Sequence, residues 1–281
     1  MRKYLLLIKF SHTIFAMPFA FIGFFLASKQ DDFEWVTLLH VVLCMVFARS
    51  AAMAFNRYID RNIDKANERT RKLRKIPNGT ITAKNALVFV IINSLLFIVV
   101  TSFINPLCFS LSPIALFIIL GYSFTKRLTS LCHLVLGLGL SLAPIGAYLS
   151  VSGEFAIIPI LFSFVVLFWV SGFDIIYSLQ DEEFDKSQKL HSIPVLLGKK
   201  NALIVSKLLH FLTFSVLSIA SSLGDFGSYY WIGFWIFSTL LIYQHTLVRH
   251  DDLRKINLAF FTTNGIASII FGASVILDII L

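Results

Sequence analysis

Two groups of polar residues in this sequence have a spacing that would let several oxygen atoms meet one cation. Asn56, Asp60 and Asp64 follow one another at intervals of four residues, which places them along one stripe of a helix. Asp181 and Asp185 repeat the interval. Carboxylate and carbonyl oxygens suit Mg²⁺, which also keeps positions for water and phosphate oxygens. We therefore predict that these aspartates are catalytic and that all five residues bind metal.

The first group also has a simpler interpretation, as a solvated helix end paired with Arg57 and Arg61. The second group weakens this alternative, because like charges four residues apart repel each other on a bare helix. A counter-ion shared by both groups would remove that repulsion. We expect the two groups to face each other across a cavity that suits a metal–diphosphate complex.

Further residues, most of them basic, could bind the diphosphate itself. Tyr122 and Lys126 are four residues apart, so their hydroxyl and ammonium groups share a helix face and are candidates for binding a diphosphate. Five more basic side chains occupy the segment 64–79: Arg69, Arg71, Lys72, Arg74 and Lys75. For most of this segment, the positive charge is explained by membrane topology alone.

Two charged residues lie further inside the predicted membrane spans than the acidic groups. Arg49 precedes Asn56 by seven residues, and Asp174 precedes Asp181 by the same interval. Ionisable groups inside a membrane span are costly and usually face the interior of the bundle. Either these two pair with each other, or Arg49 binds the carboxylate of a second substrate. Asp174 and His12 are further candidates for substrate binding.

The elements that position these residues are strongly apolar. Of the 281 residues, 57% are hydrophobic and 14% are charged, against about 25% charged in soluble domains. This composition excludes soluble, disordered and disulfide-rich proteins. We expect an all-α polytopic membrane protein, a bundle of nine transmembrane helices of roughly 20 residues each. The predicted spans are 10–28, 35–56, 85–104, 107–123, 130–151, 156–178, 201–221, 228–247 and 257–278.

The net charge of +8 is explained by the positive-inside rule, and we expect no nucleic-acid partner. Basic residues concentrate in every second connection and at the N-terminus, which predicts a cytoplasmic N-terminus and both acidic groups at the cytoplasmic surface. The connections rich in lysine and arginine are 57–84 with nine, 124–129 with two, 179–200 with four and 248–256 with three.

At these residues the sequence resembles the UbiA-type intramembrane aromatic prenyltransferase superfamily, typified by 4-hydroxybenzoate polyprenyltransferases. The resemblance covers essentially the whole chain, 1–281, as one membrane domain. The acidic groups resemble the family motifs N-x-x-x-D-x-x-x-D and D-x-x-x-D, and Tyr122 with Lys126 resembles its Y-x-x-x-K element. Segments 48–57 and 172–177 are similar to the branch attached to the futalosine route to menaquinone.

The resemblance implies a multi-pass enzyme of the plasma (cell inner) membrane with its active site towards the cytoplasm. Its donor would be a polyprenyl diphosphate, bridged by Mg²⁺ to Asn56 and the four aspartates, with Arg74 beside Lys126 and Tyr122 on the remaining oxygens. Its acceptor would be 4-hydroxybenzoate or a dihydroxynaphthoate, in ubiquinone or menaquinone biosynthesis. The alternatives are prenyl transfer to a non-aromatic acceptor, and a transporter with intramembrane acidic sites.

Overall fold

The computed structural model describes residues 2–8, 16–29 and 33–281, and helices form most of this part of the chain. An isolated bridge between Arg249 and Asp252 is the one β-pairing among these residues, so the all-α class is confirmed. The α-helices of the described residues are α1 (Arg2–Leu7), α2 (Met17–Ser28), α3 (Trp35–Ile59), α4 (Arg61–Ala66), α5 (Glu68–Arg71), α6 (Ala83–Ser102), α7 (Pro106–Thr125), α8 (Cys132–Ser152), α9 (Ile157–Ser178), α10 (Glu182–Ser187), α11 (Ile193–Leu223), α12 (Ser228–Leu247) and α13 (Asn264–Ile280).

Seven helical segments of the described chain are long and apolar enough to cross a membrane. They contain α3, α6, α7, α8, α9, α11, and α13 together with the π-helix (Leu258–Thr263) that leads into it. Helix α2 is apolar but has 12 residues, and α12 is not among the seven. The chain is an integral membrane protein, whereas nine spans and a cytoplasmic N-terminus remain predictions.

Polar side chains cap the N-terminal ends of α7 and α11. The side chain of Asn105 accepts a hydrogen bond from the backbone N–H of Cys108, and Ser192 accepts one from Val195. Such caps satisfy N–H groups that have no partner within the first turn. Helix α8 ends at Gly153, which has a positive φ of 66°, a conformation that favours glycine.

Helix α9 lies at the centre and packs against α8 and α11. Its residues Phe162 and Trp169 are fully buried and join Phe19, Phe237 and Phe271 in the main apolar core. The indole N–H of Trp169 donates a 2.9 Å hydrogen bond to Asn264 Oδ1 at the start of α13. The core therefore fixes the position of α9, which carries the second acidic group at its end.

The ends of α3, α7 and α9 meet the beginnings of α8 and α11 on one side of the molecule, which we call the polar end. Direct contacts define it, among them the backbone hydrogen bond from His191 N–H to Lys126 C=O, 2.7 Å long. The short helices α4 and α5 follow α3 there, and α10 follows a 3₁₀ turn (Leu179–Asp181) after α9. Both predicted acidic groups therefore lie at the same end of the bundle.

Candidate active site

The spacing predicted one uninterrupted helix for the first acidic group, but the structure has a break within it. Helix α3 ends at Ile59, Asp60 has φ −85° and ψ 3°, and α4 begins at the next residue. The interval of four is nevertheless kept, because Asp60 N–H donates to Asn56 C=O and Asp64 N–H donates to Asp60 C=O, at 2.9 and 2.7 Å. Asn56 Nδ2 also donates to Asp60 Oδ2 at 3.2 Å.

Asp60 is the most enclosed carboxylate of the site, with 4% of its side chain exposed. Its Oδ2 lies 2.6 Å from Lys126 Nζ, and its Oδ1 lies 2.8 Å from Arg127 Nη2. Lys126 was predicted to lie near the acidic residues. Arg127 was missed, although it also donates to the C=O of Ile59 at 3.2 Å and so anchors the end of α3.

Asp64 retains an oxygen with no partner. Its Oδ1 is 3.9 Å from Arg74 Nε, while its Oδ2 is buried without a hydrogen bond. Burial, and then the charge of Arg57, lower the pKa of Arg74 to about 10, so this guanidinium stays charged at neutral pH. A buried carboxylate oxygen without a donor is costly, and it is suited to receive a cation.

The segment after α4 reaches across to the second acidic group. Arg69 Nη2 and Nε lie 2.6 and 3.2 Å from the two oxygens of Asp181, and Asn67 Nδ2 donates to Asp181 at 3.3 Å. Although burial disfavours its charge, hydrogen bonding to Asp181 raises the pKa of Arg69 above its ordinary value. In the sequence, Arg69 was one of the basic residues whose charge membrane topology alone could explain. In the structure, its side chain lies in the site.

Asp185 lies within electrostatic reach of both groups. Its carboxylate interacts electrostatically with Asp181 of its own group and with Lys126 and Asp60 from the opposite side. The two acidic groups therefore lie within electrostatic reach of each other at the polar end, while a cavity shared by both stays a prediction. Among the described residues, no three His, Cys, Asp or Glu side chains are grouped closely enough to hold a metal ion without further ligands.

Of the two alternatives for the deep charges, the structure does not show the pairing of Arg49 with Asp174. Asp174 Oδ2 instead lies 2.7 Å from Nδ1 of His133. Arg49 Nε is buried without a hydrogen-bond partner, and Tyr122 lies within electrostatic reach of Arg49, Arg57 and Asp60. Arg49 therefore remains available to an anionic ligand.

His12, the remaining predicted substrate-binding residue, lies outside the described residues. Of the other candidates, Asn56, Asp60, Asp64, Lys126, Arg74, Asp181 and Asp185 are brought together at the polar end. The roles assigned to them remain predictions.

The class of protein follows from these features and from comparison with known proteins. A membrane-embedded helical bundle carries two acidic motifs and their basic partners at one end. A family model described as the UbiA prenyltransferase family matches residues 16–266. The chain belongs to this family and is a prenyltransferase.

Named relatives make the comparison more particular. A 4-hydroxybenzoate octaprenyltransferase from Vibrio campbellii is 31% identical over 240 residues, covering 84% of this chain and 83% of that protein. One from Tolumonas auensis is also 31% identical, over 237 residues that cover 84% and 82% of the two chains.

Solved structures agree with the fold. The apo structure of a UbiA homolog from Aeropyrum pernix K1 superposes with a TM-score of 0.86 and 31% identity, covering 95% of this chain and 98% of that chain. A UbiA homolog from Archaeoglobus fulgidus bound to DMAPP and Mg²⁺ has a TM-score of 0.76 and 23% identity, covering 99% of both chains. At that identity the second likeness concerns the fold alone.

Proposed function

We propose that this protein transfers a polyprenyl group from a polyprenyl diphosphate to an aromatic acid, with Mg²⁺, in respiratory quinone biosynthesis at the plasma membrane. The observation that carries the proposal is the meeting of two acidic motifs with four basic side chains at one end of an apolar bundle. Carboxylates alone would repel a diphosphate. Carboxylates that share their region with a metal and with cations can bind it.

The donor diphosphate would lie between the two acidic groups. Arg69 and Lys126 pair with Asp181 and Asp60, and their side chains are 35% and 29% exposed. Both can therefore exchange a carboxylate oxygen for a phosphate oxygen without leaving the site. Arg74, 3.9 Å from Asp64, would add a third cation on the same side.

Magnesium fits the residues that are present. The buried Oδ2 of Asp64 has no hydrogen-bond partner, and Asn56, Asp60, Asp181 and Asp185 supply further oxygens of the type that Mg²⁺ prefers. When bound, the ion supplies Lewis-acid neutralisation of the leaving diphosphate. Because no three His, Cys, Asp or Glu side chains in the described part of the chain group closely enough to hold a metal ion, diphosphate oxygens are expected to complete the coordination.

The aromatic acid would bind deeper in the bundle. Arg49 has a buried Nε without a partner, and a carboxylate is the natural partner of a guanidinium. In the reaction, the bond between the allylic carbon and the diphosphate oxygen breaks, and the diphosphate leaves with the electron pair. The ring carbon ortho to a hydroxyl forms the new C–C bond and loses its proton to the released diphosphate. The surrounding helices keep water away from the allylic cation.

Two alternatives are less well supported. A transporter is expected to place its functional acidic residues near the membrane midplane, whereas Asp60 and Asp181 lie where α3 and the 3₁₀ turn after α9 end. A non-aromatic acceptor such as a glyceryl phosphate could also pair with Arg49, but the relatives named 4-hydroxybenzoate octaprenyltransferases favour an aromatic acid.

A labelled-donor assay tests the proposal. Purified protein receives a radiolabelled polyprenyl diphosphate, Mg²⁺ and one acceptor at a time: 4-hydroxybenzoate, 1,4-dihydroxy-6-naphthoate or glyceryl phosphate. We expect a labelled lipid from one aromatic acid, abolished by EDTA and restored by excess Mg²⁺. A labelled product from glyceryl phosphate alone would overturn the aromatic assignment.

A further inference from the structure

His133 and Asp174 form a buried couple that belongs to neither acidic motif. His133 is the second residue of α8 and is 3% exposed. Its Nδ1 lies 2.7 Å from Oδ2 of Asp174 on α9. The deep aspartate that the sequence assigned to substrate binding is therefore held by a side chain from a different helix.

The other ring nitrogen of His133 has a fixed role. The backbone N–H of Ile193, the first residue of α11, donates to His133 Nε2 at 3.3 Å. This N–H lies in the first turn of a helix and has no partner within it. A nitrogen that accepts a hydrogen bond carries no proton, so the ring proton is on Nδ1 and is donated to Asp174.

The second carboxylate oxygen of Asp174, Oδ1, takes no part in the contact with His133. Its side chain is 23% exposed, although its neighbour Ile175 is fully buried, and Oδ1 accepts no hydrogen bond from the described residues. Asp174 precedes Tyr177 by three residues, so both lie on one face of α9. Asp181 follows in the 3₁₀ turn after this helix, and Asp174 therefore lies at least one helical turn deeper in the bundle than Asp181.

Tyr177 shows that this face belongs to the site, because its hydroxyl accepts a hydrogen bond from Arg69 Nη1 at 3.4 Å. A ligand that lies below the diphosphate position on this face would meet Oδ1 of Asp174. The hydroxyl group is the donor that an aromatic acid can present to a carboxylate at this depth.

We propose that Asp174 Oδ1 accepts a hydrogen bond from the ring hydroxyl of the aromatic acceptor and that His133 is the positioning residue that orients Asp174 for it. This inference rests on the proposed function for the class of acceptor. It predicts a specificity as well as an affinity. An acid that lacks the hydroxyl leaves the carboxylate without a donor and is rejected, since a buried polar group left unpaired is costly.

Two substitutions separate this role from a purely structural one. In His133→Asn, an amide nitrogen near the position of Nδ1 still donates to Asp174 but no longer reaches Ile193. In His133→Gln, the amide group near the position of Nε2 still meets Ile193 but loses the donor to Asp174. Asp174→Asn tests the carboxylate itself, and Glu183→Gln, on a side chain that is 93% exposed, is the matched control.

The measurement is the binding of matched ligand pairs to purified protein by calorimetry, with 4-hydroxybenzoate against benzoate and 1,4-dihydroxy-6-naphthoate against 2-naphthoate. We expect the wild type to prefer one hydroxylated acid about tenfold or more. His133→Asn and Glu183→Gln should keep that preference, and His133→Gln and Asp174→Asn should lose it.

Loss of the preference in His133→Asn with retention in His133→Gln would mean that His133 only ties α8 to α11, and the inference would be wrong. Equal effects of both substitutions, or no hydroxyl preference in the wild type, would also overturn it. Since binding is measured without turnover, absence of prenyl transfer by a wild type that keeps the preference would refute the proposed function alone.

Discussion

Replacing Asp181 with asparagine would separate the charge of the second acidic group from its shape. Asp181 accepts hydrogen bonds from Arg69 at 2.6 and 3.2 Å and from Asn67 at 3.3 Å. In Asp181→Asn, one oxygen is replaced by an NH₂ group, which faces a donor of Arg69 instead of accepting from it. The negative charge that a divalent cation requires is lost at the same time.

The magnitudes differ for stability and for turnover. Hydrogen bonds to charged groups contribute about 1.5–3 kcal/mol. Because the Arg69 side chain is 35% exposed, solvent compensates part of the loss, and we expect the free energy of unfolding to fall by about 1 kcal/mol. Turnover should fall at least a hundredfold, since the protein would keep its fold but lose a ligand for the metal–diphosphate complex.

The assay measures prenyl transfer against Mg²⁺ concentration, with thermal unfolding in detergent as the test of folding. Glu183→Gln is the control, because it removes a carboxylate two residues further along the chain, in α10, from a side chain that is 93% exposed. We expect the control to match the wild type. Turnover of Asp181→Asn within about threefold of the control at every Mg²⁺ concentration would refute the metal-binding role of this residue.

Three further substitutions test other parts of the site and core. In steady-state kinetics, Arg49→Gln should raise the KM for the aromatic acid about tenfold and leave the KM for the donor unchanged. An equal rise in both KM values would contradict the assignment of Arg49 to the acceptor. Arg74→Gln should have the opposite effect, raising the KM for the donor, and an unchanged donor KM would exclude it from diphosphate binding. Trp169→Phe leaves Asn264 Oδ1 buried without its 2.9 Å hydrogen bond and should lower the free energy of unfolding by about 1–3 kcal/mol. Trp235→Phe, at a side chain that is 64% exposed, should have little effect on thermal unfolding, and equal effects of the two would contradict the account of the core.

Much of the fold could be predicted because membrane helices are encoded locally. Each long helix requires a continuous apolar stretch, and the gap between the predicted spans 85–104 and 107–123 contains Asn105, which caps the beginning of α7. The break at Asp60 could not be predicted, because the interval of four persists through it and the hydrogen bonds continue on both sides.

The acidic residues were identifiable because their regular spacing is a property of one segment. Their partners were harder to identify, because Arg127 and Arg69 contact Asp60 and Asp181 across 67 and 112 residues of sequence. Membrane topology explains a basic residue in these connections equally well, so composition could not distinguish a site residue from a topology signal.

The partners of the two charged residues inside the membrane spans could not be predicted from the sequence for the same reason. The sequence left two alternatives for Arg49, which were pairing with Asp174 and binding the carboxylate of a substrate. His133 was not counted as a charge, yet it is the actual partner of Asp174. A histidine at the start of one helix and an aspartate near the end of the next can meet when the two helices are antiparallel neighbours, and this relation is visible in the structure.

Product analysis tests the central claim most directly. Purified protein is incubated with a polyprenyl diphosphate, Mg²⁺ and the aromatic acid, and the products are identified by mass spectrometry together with the released diphosphate. The account predicts an acid whose ring has exchanged one hydrogen for the polyprenyl group, with one diphosphate released per product, and none of either in EDTA. Diphosphate release without a prenylated ring, or a prenylated product formed equally well in EDTA, would contradict it.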